Sequence, residues 1–268
     1  LVGSEMCIRD RPKTAQAANT KYWIKVNKQA NVATVYQLKN GTYKPIKAFL
    51  VSCGGANTPA GTFYTPAKYR WQTLMGPSYG QYCTRVHGGV LFHSVWYYEK
   101  NPSTQSTVQF NKLGQTASHG CIRLSVGDAK WIYDNCALGT KVTVYSSSNP
   151  GPLGKPKGIK VSTARRQYWD PTDPSKKNPY RKQKATLTVA KKKAKTAEYG
   201  TSYNVKSGVT AKDKITKKSL TKNITYTTTK YVKGKYRKAK FSTKSLGTYR
   251  IKYTVKSSLG VKTTKTMV

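Results

Sequence analysis

The stretch SSSNPGPLGKPKG, Ser146–Gly158, crowds Ser, Pro and Gly into a place where no helix or strand can run on. Proline removes a backbone donor and fixes φ, and glycine adds no side chain to hold a regular element. A break of this composition about halfway along 268 residues predicts two domains, each with its own core. The expected organisation is a first domain over residues 21–146, a Pro/Gly/Lys-rich linker over 147–184, and a second domain over 185–268. Residues 1–20 stand apart. LVGSEMCIRDRP (Leu1–Pro12) has no apolar period and reads as a non-native junction, and Ala15-Gln16-Ala17 has the small-x-small pattern of a truncated export signal.

Charge separates the two halves as sharply as the break does. Residues 1–146 hold 17 Lys and Arg against 5 Asp and Glu, whereas residues 147–268 hold 32 against 4. The second half is a polycation, and nucleic acid, anionic lipid and anionic cell-wall polymer all satisfy such a field. KYVKGKYRKAKF (Lys230–Phe241) interleaves aromatics with cations, but its alternation equally fits a two-faced strand. The plainer reading of the tail lysines is a solvated face that keeps strand edges from aggregating. No apolar run approaches the roughly 20 residues that span a bilayer.

Most of the first half reads as strand. YWIKV (Tyr22–Val26), NVATVYQL (Asn31–Leu38) and IKAFLVSC (Ile46–Cys53) are short and rich in β-branched or aromatic residues, with Asn40-Gly41 as a hairpin turn between the second and third. In GGANTPAGTFYTP (Gly54–Pro66) Gly, Pro and Asn force a loop before Phe63 and Tyr64, while GVLFHSVWYY (Gly89–Tyr98) reads as a strand and GTKVTVY (Gly139–Tyr145) as a closing strand. LSVGDAKWIYDNC (Leu124–Cys136) is the one clear helix, with Ser125 or Asp128 as its cap. In the second half, ATLTVA, SYNVKSGV and NITYTTTKYV read as strands. Gly247–Val255 alternates strictly, with Tyr249, Ile251, Tyr253 and Val255 on one face and Arg250, Lys252 and Thr254 on the other. The fold class is mostly β: a β-rich first domain with one helix, then a small antiparallel sandwich.

The chemistry concentrates in TASHGCIRL (Thr116–Leu124). A free thiol is largely protonated at neutral pH, so Cys121 needs a base to act as a nucleophile. Histidine is the natural base, and the sequence offers His87, His93 and His119. His119 is too close in sequence for the turn to guarantee ring nitrogen against sulfur. His93, at the end of the apolar run Val90-Leu91-Phe92, is the preferred base, and His87 lies on the wrong side of that run. Gly120 lets nearby amides approach a developing oxyanion. The competing readings are a small buried cysteine and a zinc site of His87, His93, His119 and Cys121, which lacks paired ligand spacing. Cys53, Cys83 and Cys136 leave an odd number of other cysteines beyond Cys7. They allow one disulfide, Cys53 with Cys136 first, or three reduced and buried thiols.

At SHGCIR (Ser118–Arg123), preceded by His93-Ser94, the chain resembles the L,D-transpeptidases, cysteine enzymes that cross-link peptidoglycan. VSCGGANTPAGTF (Val51–Phe63) and GTKVTVY extend the resemblance across roughly Lys21–Tyr145, with an enlarged loop, Val95–Thr116, between the two motif blocks. The resemblance implies Cys121 as nucleophile and His93 as base, the imidazole being oriented by the Ser94 carbonyl. It implies oxyanion donors at the amides of Gly120 and Cys121, with Ser118, His119 and Arg123 against the donor peptide. It also implies acyl transfer from a stem tetrapeptide with loss of D-Ala, hydrolysis by the same route being an L,D-carboxypeptidase. Peptidoglycan stem peptides are then the partners, in an extracellular, wall-associated protein that needs no metal or cofactor and no nucleic acid. For Arg123 the plain alternative is an ion pair, and for Ser118 a turn. The tail, through GVTAKDKITKKSLTKNITYT (Gly208–Thr227) and LGTYRIKYTVKSSLGVKTTKT (Leu246–Thr266), resembles bacterial Ig-like modules with Lys in place of the usual acidic residues. That resemblance implies attraction to anionic wall polymer, and a wall-binding protein without catalysis is the rival reading.

Overall fold

The computed structural model describes residues 20–268, so Leu1–Pro12 and the Ala15-Gln16-Ala17 pattern lie outside the described residues. Two compact units emerge. One runs to Gly158 and takes in Thr163–Asp173, and the other comprises Ile159–Ser162 and Pro174–Val268.

The first unit contains β1 (Tyr22–Asn27), β2 (Val32–Lys39), β3 (Thr42–Leu50), β4 (Gly61–Tyr64), β5 (Lys68–Leu74), β6 (Ser78–His87), β7 (Val90–Ser94), β8 (Gln105–Ser106), β9 (Ile122–Leu124), β10 (Lys141–Tyr145) and β11 (Gln167–Tyr168), with helices α1 (Thr107–Phe110) and α2 (Val126–Asn135). One sheet runs β3-β2-β1-β10-β4 and a second runs β5-β6-β7-β9. Ile24, Val26, Val35 and Val142 from the first sheet share a core with Phe92, Ile122 and Leu124 from the second and with Ala129 and Ile132 of α2. Asn40 and Gly41 both take positive φ, 49° and 77°, as a two-residue hairpin turn between β2 and β3 requires. Ser125 caps α2, its Oγ accepting from the Asp128 amide at 3.2 Å. Val126, Ala129 and Ile132 turn one face of that helix into the core.

β7 and β9 are parallel neighbours, with Phe92 opposite Ile122, His93 opposite Arg123 and Ser94 opposite Leu124. A parallel pair needs a long crossover, and the enlarged Val95–Thr116 loop lies within it. The hairpin of β5 and β6 carries no clean alternation in sequence and is not among the expected strands, because β5 is only partly buried while Gly80–Thr84 of β6 are buried in succession. The loop expected before Phe63 and Tyr64 gives way at Gly61 to β4, which pairs with β10.

The stretch expected to be a linker is divided between the two units. Asn27 Nδ2 donates to the carbonyls of Ser147 (2.9 Å) and Asn149 (2.8 Å), and Lys155 Nζ donates to Gly114 O at 2.8 Å. β11 pairs with β8, Gln167 opposite Ser106 and Tyr168 opposite Gln105. Asp170 and Asp173 are buried. Pro, Gly and Ser forecast irregular backbone correctly here, but irregular backbone still packs when turn side chains satisfy its polar groups. Of the two arrangements open to Cys53, Cys83 and Cys136, the structure has the reduced and buried one. Cys53, Cys83, Cys121 and Cys136 are free thiols, and all but Cys121 are buried.

The second unit holds β12 (Thr186–Val189), β13 (Val209–Lys212), β14 (Thr225–Val232), β15 (Lys235–Lys238), β16 (Tyr249–Lys256) and β17 (Lys262–Met267). β12 pairs with β13, and a four-stranded antiparallel sheet runs β15-β14-β16-β17. Leu187, Val209 and Ala211 of the pair enter one core with Ile251, Tyr253 and Val255 of the larger sheet. The alternation read in Gly247–Val255 is realised on β16, where Ile251, Tyr253 and Val255 are buried and Arg250, Lys252 and Lys256 are exposed. SYNVKSGV, by contrast, is mostly turn, and strand begins only at its final Val209.

Candidate active site

The parallel register of β7 and β9 decides the site, because it sets the turn that ends in Cys121 beside the strand carrying His93. His93, Ser118, His119, Gly120, Cys121 and Arg123 all line one cavity of about 460 Å³. His87 is not part of that lining. It lies at the exposed end of β6, stacked on Phe63 with ring centroids 4.7 Å apart.

His93 is 2 % exposed, and its Nδ1 lies 2.5 Å from the Ser94 carbonyl oxygen. A carbonyl oxygen only accepts, so Nδ1 carries the proton and Nε2 is the nitrogen left to accept one. Burial pushes the imidazole pKa down to about 4, the nearby Arg123 charge adds to the shift, and the Ser94 hydrogen bond opposes it. Cys121 Sγ lies 3.6 Å from Gly89 O. Burial raises the thiol pKa, partly offset by a Leu91 amide hydrogen bond and by the charges of Arg123 and Arg85. The resting pair is therefore neutral imidazole and neutral thiol, which is the state in which His93 can take a proton.

The turn before Cys121 is held from two sides. Ser118 Oγ donates to Cys121 O at 2.5 Å and accepts from the Gly120 amide at 3.2 Å, so it closes the turn on itself. From β3 onward the chain supplies the second clamp. Ser52 and Arg123 exchange two backbone hydrogen bonds of 2.9 Å, and Cys53 O accepts from the amides of Ala117 (3.0 Å) and Ser118 (3.2 Å). Thr58 Oγ1 donates to Gly120 O at 2.8 Å and accepts from the Gly54 amide at 2.7 Å. Gly120 has φ of 138°, outside the comfortable range of L side chains. Arg123 is nearly buried, its Nη1 donating to Gln109 Oε1 and Ala117 O at 2.9 Å each. Its guanidinium thus braces the turn as well as lining the cavity. His119 is exposed at the rim.

Residues that carried no sequence signal complete the lining, among them Asn57, Met75, Arg85 and Trp96. Arg85, Met75 and Gln72 belong to the β5–β6 hairpin, and they meet the Cys121 turn only through tertiary structure. Gly54 and Thr58 were hidden inside a stretch that composition marks simply as loop. The GG pair was the available signal, since glycine is the residue that permits close backbone approach.

Residues 21–144 match the family model of the L,D-transpeptidase catalytic domain (YkuD). YciB of Bacillus subtilis (strain 168), whose name places it among candidate L,D-transpeptidases, is 37% identical over 131 residues, covering 46% of this chain and 64% of its own length. Among solved structures, a fused Zn-dependent amidase/peptidase/peptidoglycan-binding domain-containing protein from Clostridium acetobutylicum ATCC 824 is 28% identical, with a TM-score of 0.37, over 49% of this chain and 56% of that one. An L,D-transpeptidase from Mycobacterium smegmatis is 23% identical, with a TM-score of 0.38, over 47% and 59%. The chain thus spans under two thirds of the length of these relatives. The family match supports an L,D-transpeptidase-type catalytic domain in the first unit.

The tightest contact in the clamp is testable. A Cβ on Gly54 would sit 2.3 Å from the Gly120 amide nitrogen and 2.7 Å from its Cα, backbone atoms that cannot swing aside. Gly54→Ala is expected to destabilise the first unit by about 1–3 kcal/mol, the usual cost of overpacking, measured by denaturant unfolding. An unchanged midpoint would show that the turn yields.

Proposed function

We propose that the first unit is a peptidoglycan L,D-transpeptidase with Cys121 as nucleophile and His93 as base. The observation that carries this reading is one cavity lined by both residues, with Nδ1 of His93 committed to the Ser94 carbonyl and Nε2 left as acceptor. The catalytic-domain match over residues 21–144 supports the reaction class.

His93 Nε2 takes the thiol proton as sulfur attacks the carbonyl carbon before the terminal D-Ala of a stem tetrapeptide. Negative charge develops on that carbonyl oxygen, where the amides of Cys121 and Gly120 are the assigned donors. The Gly120 amide would exchange its Ser118 Oγ partner for the oxyanion. The imidazolium returns the proton to the departing amine of D-Ala, leaving a thioester on Cys121. A side-chain amine of a second stem attacks the thioester, His93 accepts its proton, and the proton goes back to sulfur as the new amide forms. Ser118 and Arg123 keep the turn in shape while lining the donor site, and exposed His119 contacts the donor peptide from the rim. Water in place of the amine would give a carboxypeptidase.

The second unit, in this reading, is an Ig-like module that holds the enzyme on anionic wall polymer. Its support is the excess of 28 Lys and Arg over 2 Asp and Glu in residues 159–162 and 174–268 and the exposed row of Arg250, Lys252 and Lys256 on β16. Such an enzyme works outside the cytoplasm, in the cell wall. Among the described residues no helix is long and apolar enough to cross a membrane.

Incubation with tetrapeptide-stem muropeptides should release D-Ala and yield 3→3 dimers for the wild type and neither product for Cys121→Ala, as read by mass spectrometry. Release without dimers would revise the activity to hydrolysis, and no turnover dependent on Cys121 would overturn the reading. The pH profile supplies a second check. Protonated His93 cannot act as base, so kcat/KM should fall to half its plateau near pH 4, the value to which burial depresses this imidazole. An acid limb near the ordinary imidazole value of about 6.5 would overturn the depression of His93, and a limb that persists unchanged in an active His93→Ala variant would remove it from that role. For the second unit, binding to purified cell walls should weaken steeply between low salt and about half-molar salt, as screened electrostatics require. Salt-independent binding would exclude the polyanion.

A further inference from the structure

Behind the strand that carries His93 lies a polar network that the proposed reaction does not use directly. Ser94 is fixed at both ends: its carbonyl accepts from His93 Nδ1, and its hydroxyl accepts from the Gln81 amide at 3.0 Å. Gln81 is fully buried on β6, and its Nε2 donates to Tyr97 Oη at 2.6 Å and to Asp173 Oδ2 at 3.1 Å. Tyr97, also fully buried, receives Gln105 Nε2 at 3.3 Å. The same Gln105 nitrogen donates to Asp170 Oδ2 at 3.2 Å, and that oxygen accepts the Val126 amide at 2.9 Å. Asp170 Oδ1 takes the amide and hydroxyl of Thr172, and Thr172 Oγ1 accepts the Gly127 amide at 2.8 Å.

Asp170, Thr172 and Asp173 all come from residues 163–173, a strap beyond the family-matched segment. The strap is seated independently of these side chains, through the β8–β11 pairing and through Thr107, whose amide and hydroxyl donate to the carbonyls of Arg166 and Arg165. Burying two carboxylates is an expensive way to fill a core. Apolar side chains of similar volume would stabilise it at least as well, since desolvating a charge costs several kcal/mol. What a hydrogen-bonded network adds is direction, because each donor and acceptor fixes a distance and an angle. Here the direction leads to Ser94, whose carbonyl sets the tautomer and orientation of the His93 ring.

We propose that the strap is a positioning element of the active site: Asp173, through Gln81 and Tyr97, holds the Ser94 peptide where its carbonyl aims His93 at Cys121. The inference rests on the transpeptidase reading for its kinetic consequence, but the aim of His93 shows directly in the reactivity of the Cys121 thiol. Asp173 and Tyr97 act through other residues and are positioning residues, not catalytic ones.

The full chain is the material for the test. Asp173→Ala, Asp173→Asn and Tyr97→Phe are compared with the wild type for alkylation of Cys121 by iodoacetamide at neutral pH, the labelled residue being identified by peptide mass. Steady-state kinetics on the tetrapeptide stem are measured beside it. Tyr97→Phe removes only a hydroxyl and keeps the ring against Trp71, 5.1 Å away between centroids, so it serves if the alanine variant fails to fold. Misaiming a base typically costs tenfold or more in rate, so Asp173→Ala and Tyr97→Phe should lower Cys121 labelling and kcat by about that factor with KM unchanged. Asp173→Asn keeps an acceptor for Gln81 and should restore both. Wild-type labelling in a folded Asp173→Ala or Tyr97→Phe protein would overturn the proposal, as would equal loss in the Ala and Asn variants of Asp173. If wild type and variants label Cys121 in the expected order but the wild type makes no Cys121-dependent product, the transpeptidase reading fails and the positioning role stands.

Discussion

The parallel pairing of β7 with β9 is the constraint from which the rest of the first unit follows. It sets His93 opposite Arg123, and so brings the turn that ends in Cys121 beside the strand with the imidazole. A parallel pair cannot be closed by a tight turn. The chain must leave β7, travel through Val95–Thr116 and return, and on the way it builds β8 and α1, the elements on which the 163–173 strap later settles. The same pairing leaves β9 with a second neighbour to find. Ser52 supplies it, exchanging two backbone bonds with Arg123 and drawing Gly54 and Thr58 onto Gly120. The Cys121 turn is thus gripped between two segments distant in sequence, by backbone pairing and by the Thr58 hydroxyl.

Electrostatics at the site run against the composition of the chain. In a protein of formal net charge +40 the easy route to a reactive cysteine would be a thiolate stabilised by surrounding cations. Arg85 and Arg123 do lower the thiol pKa, yet burial outweighs them, and the same burial and the Arg123 charge depress His93. A neutral pair results. In the proposed reaction it moves a proton as sulfur attacks, so the geometry of the imidazole counts for more than the standing concentration of thiolate. That is why the Ser94 carbonyl carries so much of the proposed mechanism: with no carboxylate on Nδ1, orientation comes from one backbone acceptor and whatever keeps it still.

The parts of this molecule legible in sequence are those written locally. Asn40-Gly41 names its own turn, Ser125 its own cap, and the alternation on β16 its own buried face, because each depends on residues within a few positions. His93 and Cys121 were legible as a pair only because their residue types and order form a motif. Gly54, Thr58 and Arg85 were not, since their meaning lies in what they touch across the fold. The strap is the clearest case. YWDPTDPSKKNPY reads as turns, and turns are what much of it forms, but no local pattern announces that Asp173 will meet Gln81 or that Asp170 will receive the first amide of α2.

The two kinds of acidic residue in this chain then make physical sense together. With nine Asp and Glu against 49 Lys and Arg, an exposed carboxylate is surrounded by cations and adds little of its own. A buried one behaves differently, for it gathers amide and hydroxyl donors that no lysine on the surface can reach. Asp170 and Asp173 sit in that second class, Asp170 taking Gln105 Nε2 and the Val126 amide from separate elements and Asp173 taking Gln81 Nε2. The interior network is not sealed from cations, for Arg70 Nη1 donates to Gln81 Oε1 at 2.8 Å, but its other named donors are amides and hydroxyls. Burial is what keeps Cys121 and His93 neutral at rest in so cationic a chain, with the Arg123 charge acting on both.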